Sequence, residues 1–463
     1  MPTPHEPTGP EPTGPEPTLR EPARQTPVLG EYDVVVVGGG PAGITAAAAA
    51  ARAGRSTILI ERYGYLGGAG TAGGLSTFCG LHANVHGDHR QVIHGLADDL
   101  LNRIAELDGL NDPHLSLGNR VQAQAFDISA YKIAADELVT RSGATLLYHA
   151  MVTGLSMAAD SKIDAVFTES KSGRHAIRGQ VFIDCSGDGD LAAWSGAPYE
   201  KGSTAADMLF PSLMFRINDV DASKAGRAWE VLARLMDEAE EAGTHHFPRK
   251  RPIVRPQRHP VEWRANMSQL ANPDGTPVDG TDVRQLTHGE LIGRQQVLDA
   301  FEFIRQVTPG FEKSYIVDIA PQVGIRETRR ILGEYLLSQD DILDCARFDD
   351  SIGVNGWPVE AHVTGDVEII FPRGENPLGF NQLPFRMIMP KAVDNLYVAG
   401  RCASMTHGGQ SAARVSGPCF AMGQAAGTAA DLALKDGIDC WDVDYGQLRE
   451  RLIGDGAYLG EEW

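Results

Sequence analysis

Apolar and polar positions change period several times along the chain, and each change predicts an element. Asp33-Val34-Val35-Val36-Val37 is an unbroken β-branched run, the pattern of a strand buried on both faces. Order is expected to begin at Tyr32, just before it. The run passes directly into Gly38-Gly39-Gly40-Pro41-Ala42-Gly43. Residues 44–53 are alanine-rich with strong helix propensity, and Gly54 is placed to end that helix. Residues 56–60 predict a second short strand, which delivers Glu61. Further on, Ile93, Leu96, Leu100, Leu101 and Ile104 recur at helical spacing within 91–107. Residues 127–142 predict another helix and 145–149 a strand. A hairpin over 163–168 and 176–179 leads into the strand Val181-Phe182-Ile183, which ends at Asp184-Cys185-Ser186-Gly187-Asp188-Gly189-Asp190. From about Glu200 the loops lengthen and aromatic, proline and basic residues increase, which suggests a second domain. Strand character returns at 395–399, followed by small-residue helical sequence over 417–434. The chain is therefore expected to leave its first sheet and come back to it near the end.

Composition narrows the class. With 463 residues, 42% hydrophobic and 22% charged, the chain is long enough to bury a sizeable core. Its net charge of −20 argues against a nucleic-acid surface or an anionic membrane as the main partner. No run of about eighteen apolar residues exists, so no membrane-spanning helix is expected. The six cysteines contain no CxxC pair and read as ordinary thiols of a reducing compartment, which with the lack of an export signal gives a cytoplasmic expectation. Residues 1–30 stand apart: the repeat EPTGPEPTGPEPT over 6–18 has almost nothing apolar to bury, and a disordered leader is expected there.

The glycine turn carries the first chemistry. Gly38 allows the tight turn, Gly40 lets backbone approach a pyrophosphate, and Gly43 lets helix and strand pack closely. The helix N-terminus offers unpaired amides and a positive dipole end to the phosphates. Glu61 lies 23 residues after Gly38, where an acid would bind a ribose hydroxyl. A bound dinucleotide is the conclusion. Both NAD and FAD carry a free ribose diol, and the spacing does not separate them. The glycine-dense loop Gly64-Tyr65-Leu66-Gly67-Gly68-Ala69-Gly70 favours a long extended ligand such as FAD, and no second glycine fingerprint is visible.

Five blocks in order then resemble a bacterial FAD-dependent oxidoreductase family of the glutathione-reductase-like superfamily. They are residues 61–68, 183–190, 324–330, 383–386 and the stretch from Asn395 to Gly427 that includes Ala399-Gly400-Arg401 and Thr406-His407. The resemblance covers most of the chain after residue 31 and is weakest over about 200–310. It implies an α/β fold: a Rossmann-like FAD-binding domain with a parallel sheet, discontinuous over 31–200 and 390–440, an inserted mixed α+β substrate domain over 201–389, and a C-terminal tail over 441–463. It implies that Gly38, Gly40, Pro41, Ala42, Gly43, Glu61, Arg62, Gly67 and Gly68 hold the ADP half of FAD. Val152, beside Met151, would meet the adenine, Gly187 and Asp188 would form a second nucleotide-proximal turn, and Gly400 and Arg401 would lie at the ribityl and flavin end with 417–427. Relatives place an acid where this chain has Arg401, and the redox-active cysteine pair of the disulfide reductases is missing.

For catalysis the candidates are His407 and His362 as proton acceptors, since imidazole titrates near neutral pH, and Arg326 and Arg329 as anchors for a substrate carboxylate. The competing reading is a core histidine and a structural ion-pair network. His82, His86, His89 and His94 have metal-like spacing, but a loop without metal is expected. Arg249-Lys250-Arg251 with Arg255 and Arg258 reads as a solvated, proline-interleaved loop. Trp357, Tyr63 and Tyr65 read as aromatic packing before a flavin wall. The expected activity is a dehydrogenase or oxidase taking hydride from a small polar metabolite, carboxylate-bearing or not. The electron acceptor, O2 or another, is left open, as is a homo-oligomer. The alternatives are an NAD(P)H-dependent reductase or monooxygenase with transient nicotinamide docking, flavin-linked RNA modification, and non-catalytic flavin binding.

Overall fold

A computed structural model describes residues 18–159, 161–202, 207–375 and 377–461. The proline-rich repeat falls almost wholly outside these described residues. Regular structure begins at Val28, four residues before Tyr32, because Val28 and Gly30 already pair with Ala176 and Ile177.

The valine run is the centre of a seven-stranded sheet. In order across the sheet come Thr145–Leu147, Thr57–Ile60, Val28–Val37, Gly173–Asp184, Lys162–Ser170 and Met151–Ala159, with Leu396–Val398 also paired to Gly173–Asp184. Side chains alternate along a strand, and the run uses both faces. Val34 and Val36 enter the core around the alanine helix Pro41–Arg52, while Val35 and Val37 enter a second core with Ile58, Ile60 and Phe182. Two covered faces explain why no polar residue interrupts the run.

The parallel register decides where the site forms. Val37 pairs with Ile60 and with Asp184, and Asp184 pairs with Val398, so four carboxyl ends stand in one row. The next residues of those strands are Gly38, Glu61, Cys185 and Ala399, which therefore line one crevice, the usual ligand position in an open α/β sheet. The expected hairpin at 163–183 is simpler than its sequence suggests. Gly173–Asp184 is one strand, antiparallel to Lys162–Ser170 over its first half and parallel to Val28–Val37 from Ala176 onward.

The helix Ser416–Asp436 returns to the alanine helix at backbone distance. A Cβ on Gly423 would come within 2.0 Å of the Ala42 carbonyl oxygen, and one on Gly427 within 2.2 Å of that of Ala46. Small residues on both helices are what allow this approach, and Thr45 Oγ1 fastens it by donating to the Phe420 carbonyl at 2.9 Å.

Between these segments a four-stranded antiparallel sheet, Ile253–Pro256, Trp263–Asn266, Phe215–Asn218 and Tyr315–Ile319, builds its own core with Ala228–Glu241 and Val283–Val307. That core takes residues from Leu213 to Val323. Leu337, Val354 and Leu383 already belong to the first core, as do Leu448 and Leu452 of the helix Tyr445–Gly454. Among the described residues, no helix is long and apolar enough to cross a membrane.

Candidate functional site

Gly38 ends the first strand with a φ of +99°, and a Cβ there would sit 2.4 Å from the Cys185 carbonyl oxygen. Only glycine turns the chain this tightly against the neighbouring strand. Gly40 then caps the helix without any side-chain bond, and Pro41 is its first residue, so the first-turn amides keep no internal partner. Opposite stands Gly68, whose added Cβ would lie 2.9 Å from the Gly40 Cα. Two glycines face to face leave a cradle of backbone that any side chain would fill, at a helix N-terminus suited to a pyrophosphate.

Glu61 is buried at the end of the second strand. Its carboxylate accepts from Gly39 N at 2.7 Å and from Tyr63 N at 2.9 Å, which fixes it against the glycine turn. Burial pushes this carboxyl up from its ordinary range, and those backbone donors and Arg62 pull against the shift. Each oxygen keeps a second lone pair, so the carboxylate can still accept from a ribose diol. Glu61→Ala is expected to weaken FAD binding about tenfold or more, the worth of a hydrogen bond to a charged group, as measured by quenching of flavin fluorescence on titration.

The crevice continues on both sides as one cleft. Beyond Glu61 its walls are Arg62, Tyr63, Ala150, Met151 and Val152. Gln322 closes over this end: its amide oxygen accepts from Arg62 Nη2 at 3.2 Å and from the Tyr63 hydroxyl, and its backbone N donates to the Ala72 carbonyl. Tyr63 also stacks on Tyr65, with ring centroids 5.5 Å apart. In the other direction the cleft runs past Gly67, Gly187, Asp188, Gly400 and Arg401 to Phe78, Phe126, Tyr131, Arg414, Ser416 and Cys419. The Tyr131 hydroxyl is buried there with no hydrogen-bond partner among the described residues.

Of the cofactor candidates, Gly38, Gly40, Pro41, Ala42, Glu61, Arg62, Gly67, Gly68, Val152, Gly187, Asp188, Gly400 and Arg401 all line this cleft. Gly43 lies beneath it, where a Cβ would come within 1.8 Å of the Gly38 carbonyl oxygen. Arg401, standing where relatives carry an acid, donates from Nη2 to Asp188 Oδ1 at 3.0 Å and from Nη1 to Thr328 Oγ1 at 3.3 Å. The carboxylate at this point of the cleft thus comes from Asp188. Asp184, fully buried, accepts from Ser186 N, Ser186 Oγ and Ala192 N and so shapes the turn that presents Gly187 and Asp188.

The four catalytic candidates fall elsewhere. Arg326 is buried and spends Nη1 on the Phe210 carbonyl (2.7 Å) and Nη2 on Ser212 Oγ (2.8 Å). Arg329 is tied to Asp190 at 2.8 Å and to the Asp188 carbonyl. His362 is buried, with Nδ1 3.3 Å from Arg249 Nη1 and Nε2 3.3 Å from Glu360 Oε1. His407 Nδ1 lies 2.9 Å from Glu327 Oε2 and opens on a separate pocket with Glu200, Lys201, Gly202, Arg330, Thr406 and Gly408. Besides Arg62 and Arg401, the cleft is lined by Arg414, which the sequence reading did not single out. It sits one helix after His407, between the helices His407–Ala413 and Ser416–Asp436.

Two surface readings change. Arg249 is not solvated but 2% exposed, because Ile253–Pro256 joins the antiparallel sheet and draws the residues before it inward. His82 and His89 lie in a hairpin, His82–Val85 with Asp88–Gln91, rather than in a loop. Among the described residues no group of three or more His, Cys, Asp or Glu is placed to hold a metal ion. Trp357 is buried and donates from Nε1 to Glu360 at 2.7 Å.

A family model described as FAD dependent oxidoreductase matches residues 33–452. Over 169 residues the chain is 32% identical to a thiamine thiazole synthase from Methanococcus vannielii, a match covering 34% of this chain and 56% of that protein. This chain thus spans little more than half the length of that relative. Similar solved structures include a geranylgeranyl bacteriochlorophyll reductase-like protein from Thermoplasma acidophilum, 15% identical with a TM-score of 0.44, covering 92% of this chain and 84% of that one. Another is a p-nitrophenol 4-monooxygenase from Pseudomonas putida, 12% identical with a TM-score of 0.47, covering 94% of this chain and 90% of that one.

Proposed function

The chain belongs to the FAD-dependent oxidoreductase family, and from that premise we propose that it is a dehydrogenase or oxidase that takes hydride from a small polar metabolite. The observation that carries this reading is the shape of the cleft. It begins at the glycine cradle and Glu61 and ends at a cation, Arg414, with Gly280, Leu286 and residues 322–325 of the inserted region forming part of its wall. The ADP-binding end and a polar, charged end therefore share one continuous space.

Bound FAD supplies the two-electron acceptor, while the chain supplies orientation, charge and a proton acceptor. Gly38, Gly40, Gly68 and Glu61 would hold the ADP half, and Gly187, Asp188, Gly400 and Arg401 the part beyond it. His407 faces the separate pocket beside Arg330 rather than the cleft, so it is our candidate for relaying the proton outward after it leaves the substrate. Glu327 holds its Nδ1 and fixes the ring, and Nε2 has no hydrogen-bond partner among the described residues. Both nitrogens of His362 are already engaged.

Anaerobic spectra of the purified holoenzyme test the reading. Bleaching of the flavin by small alcohols, amines or hydroxy acids, and no bleaching by NADH or NADPH, is the expected result. Rapid reduction by a nicotinamide alone would overturn it in favour of a reductase or monooxygenase. With a reducing substrate in hand, His407→Ala is expected to slow flavin reduction about 100-fold at unchanged FAD content. An unaltered rate removes His407 from the mechanism.

A further inference from the structure

Behind Arg414 the molecule buries more positive charge than it neutralises. Arg249, Arg264 and Arg326 are 2%, 5% and 7% exposed, and Arg414 lines the cleft itself. Glu360 is the carboxylate that ties the set together. It accepts from Trp357 Nε1, faces His362 Nε2 at 3.3 Å, and its backbone oxygen accepts from Arg414 Nη2 at 3.2 Å. His362 passes the link on to Arg249. Burial, with the charges of Arg326 and Arg249, holds the His362 pKa well below its ordinary value, so the ring adds no charge. The other acids nearby are spent: Glu327 on Arg330 and His407, and Asp366 on Arg251.

The donors are as unbalanced as the charges. Arg249, Arg264 and Arg414 each carry a buried Nε with no hydrogen-bond partner among the described residues. Arg264 has one hydrogen-bond contact there, a 3.9 Å approach of Nη1 to Met214 Sδ. An unpaired buried guanidinium is costly, and proteins keep such groups where a ligand completes them. The excess is one of cations with open N–H groups, which calls for an oxyanion.

We propose that Arg264 and Arg414 form a receiving site for the carboxylate group of the substrate, entered from the cleft past Arg414. The planar fork of guanidinium donors matches a carboxylate in two-point contact. The choice of a carboxylate over an inorganic oxyanion rests on the hydride-transfer reading above, since a hydride donor is an organic molecule and the carboxylate is the oxyanion that small polar metabolites carry. Arg326, with both terminal nitrogens on Phe210 and Ser212, and Arg249, with Nη2 on the Asn266 carbonyl at 2.6 Å and Nη1 at His362, brace the site and raise its field without offering their forks.

The test is thermal unfolding of the oxidised holoenzyme, and of its Arg264→Met variant, across titrations of acetate, succinate, benzoate and inorganic phosphate. At least one carboxylate should raise the wild-type melting temperature saturably. Arg264→Met should weaken that response about tenfold or more, the cost of losing a charge-assisted contact. Without added anion the variant should melt no lower than the wild type, because it removes an unpaired buried charge. A variant that melts lower and keeps the full carboxylate response overturns the proposal and makes Arg264 a structural cation. A response to phosphate with none to the carboxylates overturns the ligand class, and no response to any of the four overturns the site. Carboxylate binding in a protein whose flavin no organic acid, alcohol or amine reduces sustains the site and sinks the hydride reading, so the two fail separately.

Discussion

Gly43→Ala is expected to yield a protein that purifies with little or no FAD. The added methyl group would lie 1.8 Å from the Gly38 carbonyl oxygen and 3.3 Å from the Cys185 Cβ. Neither neighbour is a flexible side-chain end, so the helix Pro41–Arg52 must lift or the glycine turn must open. Lifting is opposed from behind by Ser416–Asp436, packed at backbone distance on Ala42 and Ala46. Opening the turn moves the amides that make the pyrophosphate cradle. Forced overpacking of this kind costs about 1–3 kcal/mol even where relaxation is easy, enough for a tenfold or larger loss of cofactor affinity. The ratio of flavin to protein absorbance after desalting measures it. Gly454→Ala, at the end of a helix with nothing within 4 Å of its added Cβ, is the matched control. A Gly43→Ala protein with a full complement of FAD would show that this close approach is dispensable.

The second large effect is on stability. The Glu327 side chain is fully buried and receives Arg330 Nε at 2.9 Å, His407 at 2.9 Å and Leu209 N at 2.9 Å. Arg330, with 1% of its side chain exposed, also donates to the Met405 and Gly202 carbonyls. Glu327→Ala would strand that guanidinium without its buried carboxylate and is expected to destabilise the fold by about 3–5 kcal/mol. Denaturant unfolding at neutral pH reads this directly. Glu327→Leu combined with Arg330→Met should recover most of the loss, because two apolar groups leave no unpaired charge. No recovery in the double variant would mean that the pair itself, rather than the stranded charge, holds the segment. The pH dependence has a defined sign. Burial raises the Glu327 carboxyl, but the His407 hydrogen bond and charge, the Leu209 amide and Arg330 outweigh it and leave the pKa below its ordinary 4.5. A depressed carboxyl stabilises the fold above pH 4.5 and loses that contribution as pH falls through its folded value. Glu327→Gln should therefore lower stability at neutral pH and above, flatten the acid limb of the stability curve, and differ least from the wild type at low pH.

The ligand-binding turn was readable from sequence because its requirements are local. Gly38, Gly40 and Gly43 answer to a turn and a close packing that no other residue satisfies, and Glu61 follows from the length of one strand–helix–strand unit. The family resemblance added Val152, Gly187, Asp188 and Gly400; the parallel register brings the last three beyond one row of strand ends, and Val152 joins the same cleft from the antiparallel strand Met151–Ala159. The valine and alanine runs announced two covered faces and a tightly packed helix, since burial on all sides leaves a continuous apolar pattern.

Charge was the part that sequence misread. Arg249 sits among prolines and other basic residues, where local composition favours solvent, and nothing within ten residues reveals that it meets His362 more than a hundred positions away. Arg414 is a single arginine between two small-residue helices, and its place at the cleft wall depends on how both pack. By itself the sequence determined the strands, the glycine turn, the acid after the second strand and hence the class of cofactor, because backbone conformation and hydrophobic period are set by near neighbours. The tertiary structure alone decided which arginines are buried together, which histidine keeps a free nitrogen and which acid balances them. Those properties are sums over residues that are distant in the chain, and electrostatic energy depends on that assembled geometry and on the water it excludes.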